Sequence, residues 1–183
     1  MSIEKSQASS GTLSLFSYPD FRTLWFSGLF VNLAAAAFPV ALAIAVLDAG
    51  GKAGTLGLIL AARLASSVSF SLLAGVLTDR LSRKKVMFWA DFLRGILSVV
   101  IVFATDAPLW FFAVILFVMG AGEAFIFPAS GAILPSILPE DKLPIGNAFR
   151  SISIRLTAIV GPGVGGALIA LAGSKVTFLV LGI

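Results

Sequence analysis

Long uncharged apolar runs alternate along this chain with short clusters of charge. A helix that crosses roughly 30 Å of hydrocarbon needs about 20 apolar residues. Five runs reach that length. The first, 24–47, carries no charge, and the second, 55–78, is interrupted only by Arg63. The third, 86–104, has Asp91 and Arg94 near its start, and the fourth, 108–135, holds the single acid Glu123. The fifth, 148–172, contains Arg150 near its start and Arg155 deeper in. A sixth begins near Lys175, and what remains of the chain after it is too short to cross. The pattern predicts an all-α integral membrane fold: a polar tail over 1–21, five complete transmembrane helices, and a truncated sixth over 175–183. An apolar run that stops midway also suggests a piece of a longer protein.

Composition agrees with that pattern. The chain is 58% hydrophobic and only 12% charged, whereas a soluble domain carries roughly 25% charged residues. Its mean hydropathy is +1.05. With 16 Phe but no Cys and no His, disulfides, thiol chemistry and histidine general bases are excluded, and neither a metal site nor a cofactor is expected. Residues 1–20 are polar and Ser-rich and lack the features of a secretory signal. Leu13, Leu15, Phe16, Phe21 and Trp25 are compatible with a short interfacial helix or with a loose tail.

The net charge of +4 would suit nucleic acid only if the basic residues shared one face. They sit in the connections instead. With the N-terminus inside, one side holds eight (Lys5, Arg22, Arg80, Arg83, Lys84, Lys85, Lys142, Arg150) and the other two (Lys52, Lys175). That asymmetry predicts a cytosolic N-terminus in a bacterial-type cytoplasmic membrane, and no nucleic-acid partner. The densest cluster is Gly75-Val-Leu-Thr-Asp79-Arg80-Leu-Ser-Arg83-Lys84-Lys85, between the second and third spans. Ionised groups are costly in hydrocarbon, so this stretch belongs at a membrane surface. Gly75 allows another helix close, and Asp79 and Arg83 at i, i+4 can pair on a helical turn.

Gly75-x-x-x-Asp79-Arg80-x-x-Arg83-Lys84 resembles the signature loop between helices two and three of the major facilitator superfamily, with Ser82 where that pattern usually has Gly. In the fifth span, Gly161-Pro162-Gly163-Val164-Gly165-Gly166 is similar to the core of the antiporter motif of the superfamily's exporters, with Thr157 where a further Gly is common. Gly161 and Gly165 would form a groove for close packing, and Pro162 would kink the helix. Phe127-Pro-Ala129, Leu134-Pro135, Leu143-Pro-Ile-Gly-Asn147-Ala148 and Asp91-x-x-Arg94 look most like the drug, macrolide and siderophore exporter branch. In the first span, Asn32 is the only polar group in a region where several relatives carry an acid. The resemblance implies a major-facilitator helix bundle, with 22–183 as an incomplete N-terminal six-helix half whose C-terminal half is missing. It also implies a small-molecule substrate, protons as coupling ion, and Asp79 as a contact to the opposite domain. Ser67, Ser71 and Gly75, at i, i+4, would let the second helix slide there.

Ionisable residues within spans are functional candidates. At a rise of about 1.5 Å per residue, Asp91, Arg94, Arg155 and Glu123 fall about 8–12 Å from the cytosolic side. Arg63 stands apart in the outer half, with no acid at its depth. Asp91 and Arg94 at i, i+3 suit a structural pair. Glu123 suits either substrate or proton binding in a cavity with Arg155 and Arg63, or a neutral lock with Arg155. The reading is therefore a proton-coupled exporter of small amphipathic compounds working by alternating access. A lipid or lysophospholipid flippase of the same fold, or a non-transporting membrane subunit, is the alternative. A membrane enzyme is disfavoured, because no catalytic residues or Asp-x-x-Asp cluster is present.

Overall fold

The computed structural model describes residues 14–48, 50–78, 82–104 and 107–182, and the backbone alone at 77, 78, 83 and 127–132. Its elements are helices. We number the long ones α1 (Pro19–Asp48), α2 (Ala53–Thr78), α3 (Arg83–Phe103), α4 (Leu109–Ile133) and α5 (Leu143–Gly182). All five are long and apolar enough to cross a membrane. Short 3-10 turns cover Leu15–Ser17, Leu134–Ser136 and Glu140–Lys142.

The differences from the expected bounds have local causes. Helix α1 starts at Pro19 rather than 24. Proline suits a first helical position, where its missing N–H loses no bond, and Asp20 in the first turn complements the helix dipole. Before it, Leu15 is fully buried. Phe16 makes edge contacts with Phe21, Trp25 and Phe149, so this entry segment is docked on the bundle. Helix α3 takes Arg83, Lys84 and Lys85 into its first turn.

Helix α5 begins at Leu143, about one turn before the expected 148, and keeps helical backbone through Pro162. Neighbouring helices let a membrane helix tolerate a proline without breaking. The break falls at Gly173, with φ 78° and ψ 168°, a conformation that a side chain disfavours. It separates 143–172 from the start of a sixth helix over 174–182.

Sequence neighbours are not the main packing partners. The most extensive contacts are α2 with α4 and α1 with α5, whereas α1 barely touches α2. Small residues permit both close approaches. A Cβ added to Gly161 would lie 2.5 Å from the Ala36 Cβ of α1, and one at Gly165 would lie 2.6 Å from the Ala37 carbonyl oxygen. Ser153, Thr157, Gly161 and Gly165 all lie buried at i, i+4 spacing. The two hydroxyls of that row donate back to Phe149 and Ser153 carbonyls, so the stripe carries no unmet polar group. On the other pair, Gly120 of α4 lies against the backbone carbonyl of Arg63 on α2. One core cluster ties all five helices together through Leu42, Ile59, Ile101, Leu116 and Phe178. A smaller one, with Leu15, Phe21, Leu134 and Leu138, closes the other end.

Candidate binding cavity

Between the two core clusters lies a cavity of about 390 Å³, within the usual size range of small-molecule sites. Its walls come from every long helix. Helix α1 supplies residues between Phe21 and Ala35, including Asn32, and its polar lining otherwise centres on Arg63, Glu123, Asp91, Arg94 and Arg150. Most of the remaining lining is apolar.

Arg63 and Glu123 form a two-point ion pair. Arg63 Nε donates to Glu123 Oε2 at 3.0 Å, and a terminal guanidinium N–H donates to Oε1. Such parallel contacts are among the stronger hydrogen-bonded pairs. The side chains are 14% and 25% exposed, and the Phe38 ring lies 5.7 Å from the guanidinium carbon. This pairing corrects two expectations. Arg63 does not stand apart, and Glu123 is not locked to Arg155, which lies exposed on α5 and does not line the cavity. Counting residues from each helix end located only Cα atoms. Helices α2 and α4 run the same way, with α3 returning between them, and Gly120 brings them level at Arg63. Glu123 is one turn further on, about 4.5 Å at the usual rise, which an arginine side chain spans.

Asp91 and Arg94 form the expected i, i+3 ion pair, and both also line the cavity. Their nearest charged atoms are 3.7 Å apart, too long for a hydrogen bond. Asp91 Oδ1, Arg94 Nε and, on α1, Trp25 Nε1 are shielded from solvent without a hydrogen-bond partner.

Sequence reasoning missed two lining residues for one reason, the helix bounds. The sequence pattern puts Arg150 only two residues into the fifth span. Because α5 starts at Leu143, it sits about two turns inside, in the cavity wall. Trp25 falls at the very start of the expected first span, where an interfacial helix or a loose tail was open; because α1 starts at Pro19, it is inside the bundle. Of the loop motif, Gly75 is exposed in the last turn of α2 and Lys84 is exposed in the first turn of α3. Asp79, Arg80 and the Arg83 side chain lie outside what is described. In the glycine motif, Gly161 and Gly165 pack on α1, whereas Gly166 has open space where its Cβ would be and Pro162 is exposed.

A bundle of membrane-length helices around a cavity with charged groups in an otherwise mostly apolar wall defines a polytopic membrane protein. The sequence profile of the Major Facilitator Superfamily matches residues 24–183. The chain belongs to that superfamily, a family of transporters. It is similar to Macrolide efflux protein A of Streptococcus pyogenes, at 27% identity over 147 residues, covering 79% of this chain and 36% of that protein. It is 33% identical over 93 residues to Macrolide efflux protein A of Enterococcus faecalis, covering 49% and 29%. It is 33% identical over 97 residues to the uncharacterized MFS-type transporter YkuC of Bacillus subtilis, covering 51% and 22%. The chain thus spans about a third or less of the length of these relatives.

Proposed function

We propose that this chain is the greater part of the N-terminal half of a secondary exporter, which moves small amphipathic compounds outward by alternating access in exchange for protons. The observation that carries this reading is the Arg63–Glu123 pair in the cavity wall. Protonating Glu123 would release Arg63, and an unpaired charge in a low-dielectric site is unfavourable. Proton binding would thereby change which conformation is preferred. Efflux names among the relatives support the direction of transport. In this reading the cytosolic connections include the Gly75–Lys84 motif. Asp79, Arg80 and Arg83 hold the closed gate against the C-terminal half, and Gly161, Pro162, Gly165 and Gly166 shape the moving face of α5. Arg155, away from the cavity, meets the opposite half or a lipid headgroup.

The test uses the full-length protein in liposomes with an imposed proton gradient, supplied with amphipathic cations and neutral macrolides. Wild type should show proton-driven flux. Glu123→Gln and the charge-neutral Arg63→Gln/Glu123→Gln pair should both lose proton coupling, the latter with its fold retained. Coupled flux in the double variant would make the pair structural only.

A further inference from the structure

Pro19 sets the direction of the chain ahead of it as well as the start of α1. A residue before proline is kept out of the helical region, and Tyr18 is extended, with φ −85° and ψ 110°. The segment Leu15–Ser17 therefore does not continue the helix. It crosses the end of the bundle where α1 and α5 begin and α4 finishes. Leu15 is fully buried in one cluster with Phe21, Leu134 and Leu138. Phe16 sets ring edges against Phe21, Trp25 and Phe149. Three of these partners, Phe21, Trp25 and Leu134, also line the cavity. The segment thus backs the cavity wall at that end.

Its attachment is one-sided. The Ser17 hydroxyl donates to the Ser14 carbonyl at 2.5 Å, the Tyr18 N–H to Leu15 at 3.2 Å, and the Arg22 N–H of α1 to Tyr18 at 3.1 Å. Among the described residues, no hydrogen bond of 15–18 reaches α4 or α5, so the hold there is apolar. Apolar contact is non-directional, and breaking it strands no buried donor or acceptor, which is the costly part of breaking a hydrogen bond. Segments with few such ties are the ones that open locally in a folded protein. We infer that residues 15–18 are a strap that closes this end of the cavity and opens it by pivoting at Tyr18. Seated, it holds the Phe21 and Trp25 rings in place and keeps water from the charges further in, Arg63, Glu123, Asp91 and Arg94. Excluding water strengthens the electrostatic contacts there. Lifted, it frees both rings and admits solvent.

The test reads accessibility rather than flux, so a failure of the strap and a failure of the export reading are told apart. It uses the purified full-length protein in detergent, with any other cysteines removed. Asn32→Cys places a thiol in the cavity, and Arg155→Cys places a control thiol on an exposed site outside it. Three ring contacts carry enough energy for about a tenfold change in opening. Phe16→Ala should therefore speed maleimide modification of the Asn32→Cys thiol about tenfold and leave the Arg155→Cys thiol unchanged. Leu15→Ala should act in the same direction, whereas Phe16→Tyr, which keeps the ring, should retain the slow rate. An Asn32→Cys rate indifferent to Phe16→Ala overturns the inference. Faster modification of both thiols also overturns it, because the whole bundle has then loosened rather than one end. Should Phe16→Ala fail to fold, Phe16→Leu gives the milder form of the same comparison, since it keeps apolar bulk and loses only the ring edges.

Discussion

At the scale of single residues, the cavity pairs two groups that neither helix could satisfy alone. Removing one partner of a buried ion pair leaves an uncompensated charge, at a typical cost of about 3–5 kcal/mol. Arg63→Gln alone should therefore lower the melting temperature of the detergent-solubilised full-length protein strongly. Arg63→Gln/Glu123→Gln should recover most of the loss, and a double-mutant cycle of thermal unfolding measures the coupling. That Arg63 and Glu123 were functional candidates was legible in the sequence, because charge inside an apolar span has few bland explanations. Their partnership was not. It depends on which faces of α2 and α4 meet, and a residue count along separate helices carries no information about that.

At the scale of elements, the glycines of α5 divide by position. Gly165 abuts the α1 backbone, whereas Gly166 has open space. Gly165→Ala should destabilise by about 1–3 kcal/mol, the usual range for overpacking, and Gly166→Ala should be neutral or slightly stabilising through helix propensity. Comparing the two melting temperatures checks this. Gly120→Ala should behave like Gly165→Ala and also weaken the Arg63–Glu123 pair, since the added methyl would press on the Arg63 carbonyl. The Gly161–Gly165 groove was readable from spacing. Thr157 reads as a departure from the glycine pattern and Ser153 carries no signal, yet each hydroxyl bonds within its own helix and packs like a small apolar residue, extending the row.

At the scale of the whole molecule, α2 leaves much of its surface uncovered. Leu64, Val68 and Leu72 are 66%, 71% and 81% exposed, and Ser71 and Gly75 share its exposed surface. In a two-half transporter this surface is available to lipid and to the opposite half. The proposed orientation is directly measurable, because this chain has no cysteine to interfere. In a cysteine-free full-length background, Lys52→Cys should react with a membrane-impermeant maleimide added outside spheroplasts. Glu140→Cys should react only after permeabilisation. The reverse pattern would invert the topology.

The sequence by itself determined the class of this protein. Span lengths, the burial cost of charge and the excess of basic residues in alternate connections are all properties read along a line, and they sufficed for an all-α membrane bundle; its major-facilitator type came from the resemblance of the Gly75–Lys84 and Gly161–Gly166 motifs. Tertiary structure alone decided that α1 pairs with α5 and α2 with α4, that Arg63 meets Glu123, and that Trp25 and Arg150 join the cavity. The physical reason is that helices uniformly apolar around their circumference give no periodic signal for their buried faces. Contact is then chosen by where small residues let backbones approach, and that is settled only when the helices are packed together.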